Sequence, residues 1–287
     1  MASRTKRAQA ARQTVEILER GVYVGPGGLE VSIVKEQKAA RSATVLYRPG
    51  DFDDLRRRRD QIIGERSEVR STGFEVVNAT TLRAARRLLA EPGCDRVFAL
   101  NFASAKNPGG GFLNGSQAQE ESLARASGLY DCINPIREYY DSNRLNPSCL
   151  YTDHMIYSPG VPVFRDDDDV LLDRPVLVSI LTGPAPNAGA IRRNERRAVD
   201  QIEPVMRSRI DKVLTIAVVQ GHHTLVLGAW GCGVFGNDPD RVAALFAEFW
   251  AEDGVYRSAF RKVVFAVFDR TADQSAILPF ARRFGTP

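Results

Sequence analysis

Long apolar runs are missing from this chain; none approaches the ~18 residues that a membrane-spanning helix needs. Its basic first segment, residues 1–12, has no apolar stretch behind it, so no signal peptide is expected. Cysteine and histidine are scarce, four and three in 287 residues. Cys94, Cys132, Cys149 and Cys232 lie far apart with no C-x-x-C, and the histidines are His154, His222 and His223. That pattern argues against zinc and against a disulfide framework, and for a reducing, cytoplasmic setting. Lysine is scarce too: of 39 basic residues 6 are Lys, which leaves 33 Arg. Arginine suits phosphate recognition, but a bias spread over the whole chain reads first as composition. Nor is there a strong excess of one charge. Lys+Arg 39 against Asp+Glu 35 gives +4, too mild and too mixed for a dedicated nucleic-acid binder. What remains, 44% hydrophobic and 26% charged, is an ordinary globular composition. The length is enough for one or two domains and a core that needs no staple.

The order of patterns predicts the architecture. Residues 4–20 read as a helix with Val15, Ile17 and Leu18 on its apolar side. Gly25-Pro26-Gly27-Gly28 then turns between short strands at 21–24 and 29–34. The run Arg56 to Arg59 follows Asp51, Asp53 and Asp54 and reads as a solvated, internally paired surface. From residue 74 onward, short apolar runs alternate with helical patterns. Strands are predicted at 74–77, 97–102, 155–157, 176–180, 225–227 and 263–268. Helices are predicted at 80–90, over 190–220 with a fresh start near Pro204, from Asp238-Pro239 onward, and at 273–284. Strand and helix alternate, which implies a largely parallel sheet between helical layers. Residues 1–70 are expected as an extension packed on a core of residues 71–287, in a single domain overall.

In an open α/β sheet, ligands bind beyond the carboxyl ends of the strands. Two glycine-rich loops stand there. The first runs from Asn107-Pro108-Gly109-Gly110-Gly111 to Gln119-Glu120-Glu121; its glycines allow close backbone approach and inward N–H groups. Ser116 and Gln119 have capping-box spacing, which predicts a helix starting just before Gln117 with both glutamates in its first turns. The second loop, Gly231-Cys232-Gly233-Val234-Phe235-Gly236, precedes the Asp238-Pro239 helix start, where free amides and the helix dipole favour phosphate. It is not a Walker loop, since no Gly-Lys-Ser/Thr follows, and its match to G-x-G-x-x-G is weak. Cys232 reads as a loop-lining thiol, with no histidine near it in sequence. Phe235 reads either as a core plug or as a platform for a ribose or base. The four aspartates 166–169 read as a solvated loop rather than a Mg²⁺ site.

The Gly-Gly-Gly and Gln-Glu-Glu segments from Gly109 to Glu121 resemble the signature of poly(ADP-ribose) glycohydrolases. The stretches 101–108, 157–165, 184–187 and 227–237 are similar to the bacterial-type branch of that family. The resemblance runs from about residue 21 to the C-terminus. It implies a three-layer α/β/α macrodomain-like mixed sheet with an N-terminal helical and hairpin extension, acting on the ribose–ribose bonds of poly(ADP-ribose) without metal or cofactor. By the same resemblance Glu121 is the catalytic carboxylate and Glu120 its ribose-binding neighbour. Asn107, Gly109, Gly110, Gly111 and Gln119 belong to the loop around the terminal ribose and diphosphate. Gly231, Cys232, Gly233, Val234, Phe235 and Gly236 form the second diphosphate loop. The implied partners are poly(ADP-ribose), ADP-ribose and ADP-ribosylated proteins, in the DNA damage response, with no membrane and no specific nucleic acid. A non-catalytic ADP-ribose reader and a mono-ADP-ribosyl hydrolase are the alternatives.

Overall fold

The computed structural model describes residues 3–65 and 71–285. In chain order the elements are α1 (Arg4–Arg20), β1 (Val22–Val24), β2 (Glu30–Ser32), α2 (Val34–Ser42), β3 (Val45–Tyr47), α3 (Phe52–Gly64), β4 (Gly73–Val77), α4 (Thr81–Leu89) and β5 (Phe98–Phe102). They continue with α5 (Gln119–Ala126), α6 (Leu129–Ile133), α7 (Arg137–Leu145), β6 (Met155–Arg165), β7 (Leu171–Gly183), α8 (Ala188–Asn194), α9 (Ile202–Val219), β8 (Thr224–Leu227), α10 (Pro239–Glu248), β9 (Lys262–Ala266) and α11 (Leu278–Phe284). Seven strands form one sheet in the order β3-β6-β7-β5-β8-β9-β4. Pairing is parallel from β7 through β4 and antiparallel at β3–β6 and β6–β7, so the sheet is mixed.

Strand side chains alternate between two cores, as the pleat requires. Phe98, Leu100, Leu225, Leu227, Val263 and Phe265 face α9, α10 and α11. Val97, Ala99, Val226 and Val264 face α4, α5, α6 and α7 on the other side. A sheet buried on both faces needs near-continuous apolar strands, which is why its central strands could be read from the sequence.

Several expectations change. β6 and β7 are much longer than residues 155–157 and 176–180, because they form a hairpin whose irregularities at Ser158/Val161 and Val163/Arg165 interrupt the alternation. β3 was not anticipated; it comes from the first 70 residues and pairs with β6 at the sheet edge. The boundary expected at residue 70 lies outside the described residues. The arginine run is paired as expected, yet not wholly solvated. Arg59 is buried and donates to Asp211 Oδ1 and the Tyr256 hydroxyl, both at 2.8 Å, tying α3 to α9. The aspartate run is likewise structural. Asp169 pairs with the buried Arg125 at 2.8 Å, and Asp167 accepts from Thr80 Oγ1 at 2.7 Å.

Because β5 and β8 are neighbours in the sheet, the loops leaving their carboxyl ends lie side by side. α1 packs behind the first of them. Arg4 Nε donates to Asn114 O at 3.0 Å and Arg7 Nε to Gly115 O at 2.9 Å.

Candidate active site

α5 starts at Gln119, two residues later than the capping-box spacing predicts, with Ala118 in the cap position and no side-chain cap. Gln119 has a different task. Its Oε1 accepts from Phe102 N–H at 2.8 Å, and its Nε2 donates to Leu100 O at 2.8 Å and Thr81 Oγ1 at 3.0 Å. These bonds fix the first turn of α5 against the end of β5. The two glutamates of that turn therefore stand on a rigid base.

Chain neighbours on a helix point about 100° apart, and the two carboxyl groups differ accordingly. Glu120 is buried; it accepts from Ser104 N–H at 2.6 Å, from Asn101 Nδ2 at 3.3 Å and from the Gly109 amide. Burial dominates those bonds and pushes its pKa up to about 8, so near neutral pH it holds a proton. The negative charge that the sequence places beside Glu121 is weakened in the same measure. Glu121 is half-buried, and its Oε1 accepts from Gly111 N–H at 3.0 Å. Its other oxygen has no protein partner among the described residues.

Gly110 lies between the two. Its φ is +58°, and a Cβ there would collide with the Glu121 carboxylate and come within 3.3 Å of Glu120 Oε2. Only glycine fits. Two amides of the first loop are thus turned toward its own carboxylates, Gly109 toward Glu120 and Gly111 toward Glu121, while Gly110 N–H donates to the backbone carbonyl of Asn107 at 3.0 Å. Asn107 itself is exposed at the rim.

The donors left over lie in the second loop. The N–H groups of Gly231, Gly233, Val234 and Phe235 donate to no protein acceptor among the described residues. Asn237 braces this loop by donating to Pro186 O at 2.8 Å and Gly231 O at 3.1 Å, and Asp238 caps α10 behind it. Gly231, at φ +73°, has no room for a Cβ between Asn237 and Ala185. Val234 is 86% exposed at the tip. Cys232 is partly covered, and burial pushes its thiol up to about 12, so it is no nucleophile near neutral pH. Phe235 is half-buried, its ring 5.8 Å from that of Tyr151.

Three contributors were not singled out in the sequence. Asn101 and Ser104, from the end of β5, hold Glu120. Arg209 on α9 is 1% exposed and donates to Asp153 Oδ1 at 2.8 Å, Tyr151 O at 3.0 Å and Pro184 O at 3.1 Å. It pins the Tyr151 wall and the loop after β7 under the cleft. No local pattern marks a buried arginine in a helix; a charge interrupting the apolar face of α9 is the one available hint.

A family model described as the microbial-type PARG catalytic domain matches residues 11–166. Among solved structures, the chain is similar to poly(ADP-ribose) glycohydrolase (PARG) from Thermomonospora curvata, at 48% identity and TM-score 0.91, covering 98% of this chain and 100% of that one. The same Thermomonospora enzyme bound to the inhibitor ADP-HPD matches at 48% identity and TM-score 0.88, with the same coverage. The Deinococcus radiodurans PARG in complex with ADP-ribose matches at 45% identity and TM-score 0.79, covering 86% of this chain and 96% of that one. No curated protein matches this chain.

Proposed function

Because the chain belongs to the microbial-type poly(ADP-ribose) glycohydrolase family, we propose that Glu121 is the general acid and base of its reaction. The protein is a hydrolase that cleaves the ribose–ribose O-glycosidic bonds of poly(ADP-ribose) and releases ADP-ribose. The bond joins the anomeric carbon of one ribose to a hydroxyl oxygen of the next, and it breaks through an oxocarbenium-like state. Glu121 gives its proton to the leaving oxygen. The resulting carboxylate then takes a proton from the water that attacks the anomeric carbon. One observation carries this assignment: of the two glutamates, Glu121 alone has a carboxyl oxygen free of protein partners among the described residues.

Glu120, protonated and tied back to Asn101 and Ser104, serves as a fixed hydrogen-bonding group for ribose hydroxyls. The free amides of Gly231, Gly233, Val234 and Phe235 take the diphosphate, supported by the α10 dipole. Binding energy from that remote group positions the reacting ribose. ADP-ribosylated proteins are the natural carriers of the polymer. The free cysteines favour a reducing, cytoplasmic location, and the family resemblance favours a part in the DNA damage response.

Glu121→Gln tests the reading. The amide keeps the Gly111 hydrogen bond but supplies no proton, so ADP-ribose release should fall by about 10²–10⁴-fold, with ADP-ribose affinity nearly intact in calorimetry. Near wild-type release would remove Glu121 from the role. If the wild-type protein bound ADP-ribose but released none from polymer, a reader function would replace hydrolysis.

A further inference from the structure

We infer that Arg193, Arg196 and Arg197 form a landing surface for the polymer units that follow the one in the cleft; the inference rests on the function proposed above. These arginines sit at the end of α8 and on the 3₁₀ turn Arg196–Gln201 that follows it, and all are exposed. Two bonds lock this element to the second glycine loop: Gly189 N–H to Phe235 O and Arg192 to Gly236 O, each 2.9 Å.

Elsewhere, some exposed arginines are neutralised in place, as in Arg48–Glu138, Arg207–Glu248 and Arg241–Glu203, and others stand unpaired but singly, as Arg12 and Arg137 do among the described residues. Arg193, Arg196 and Arg197 make no ion pair or side-chain hydrogen bond among the described residues. The acid inside the run does not serve them either. Glu195 accepts from Ser148 Oγ at 2.6 Å and Cys149 N–H at 2.8 Å. Asp200, also exposed, is the other acid of the turn. Lys106, one residue before Asn107, acts electrostatically on the same Cys149 and so extends positive charge along this rim toward the first loop.

Unpaired like charges crowded on one short element cost stability; a polyanion passing over them reverses the sign. The chemistry of the substrate calls for a phosphate-binding surface beside the cleft. Each unit of the chain carries a diphosphate, and the scissile bond links the ribose in the cleft to a unit that must lie outside it. Guanidinium forks match phosphate oxygens in pairs.

The test compares R193Q/R196Q/R197Q with wild type on the ADP-ribose dimer and on long chains, across a salt series. Hydrolysis of the dimer, which has a single unit outside the cleft, should fall by no more than about twofold. For long chains kcat/KM should fall about tenfold at low salt, and the slope of log affinity against log salt should shrink by about 2, at ~0.7 per phosphate contact. Substitution of the same three positions by Lys should restore the salt slope. An equal loss on dimer and long chain, or an unchanged salt slope, overturns the inference. If wild type releases no ADP-ribose, the proposed function fails. Equilibrium binding of the same chains then decides the surface separately, and an unaltered slope again overturns it.

Discussion

Glu120 and Glu121 share a backbone, yet one is locked in the protein and the other is open to the cleft. The proton on Glu120 has a measurable consequence. Between the ordinary carboxylate value of about 4.3 and the folded value of about 8, the native state holds a proton that the unfolded chain has lost. Stability contributed by this group is therefore complete below the first value and declines as pH rises through the second. Glu120→Gln cannot titrate. In urea denaturation from pH 5 to 8 the variant should lose less stability than wild type, with the gap growing to as much as a few kcal/mol at pH 8. Parallel curves would show that Glu120 is ionised in the native state. The buried Asn101 Oδ1, which has no hydrogen-bond partner among the described residues, can accept the amide of the variant after a side-chain flip. Phe235 poses the other question at this scale. If its half-buried ring serves the ligand, Phe235→Ala should weaken ADP-ribose binding by about 1–3 kcal/mol, with little change in Tm. A large drop in Tm with unchanged affinity would make it a core residue.

Helices α1 and α9 never enter the cleft but hold its walls. α1 closes the back of the first loop through Arg4, Arg7 and Thr14, whose Oγ1 donates to Arg125 O at 2.5 Å. α9 carries Arg209, and Lys212 joins it on Asp153 at 2.8 Å. Removing one member of a buried charged cluster leaves the others uncompensated. Arg209→Met should therefore cost about 3 kcal/mol or more in denaturation. It should also weaken ADP-ribose binding in the folded fraction, because Tyr151 and Pro184 lose their anchor. A stable variant with altered binding alone would mean that the wall is held by its own packing.

Across the whole molecule, the cleft draws on β5, β8 and the loop after β7, so a bound ligand ties together elements from both halves of the chain. ADP-ribose at one hundred times its Kd should stabilise the fold by about 2.7 kcal/mol, read as a rise in Tm that ribose or adenine alone does not give. With the proton coming from a side chain and the diphosphate held by amides, as proposed above, turnover should persist in EDTA. Loss of activity on chelation with rescue by Mg²⁺ would place the reaction in a metal-dependent class. No helix of the described residues is long and apolar enough to cross a membrane.

How much of this was legible depends on the range of the forces involved. The sequence alone determined α1, the central strands and the cap of α10, because local pattern and two-sided burial act on neighbouring residues. Its glycine signatures also marked both loops, since a backbone that must pass a carboxylate or a phosphate tolerates nothing larger. The long β6–β7 hairpin, β3, and the burial of Arg59 and Arg209 followed no local pattern. The hairpin is hidden by the irregularities in its own pairing, while β3 and the two buried arginines depend on partners far away in sequence, such as Arg59 with Tyr256 at a separation of 197. The difference between the two glutamates was decided there as well. Composition gives both the same carboxyl group; only the packing of Asn101, Ser104 and Gly109 around one of them removes its water and leaves the other with an oxygen open to the cleft.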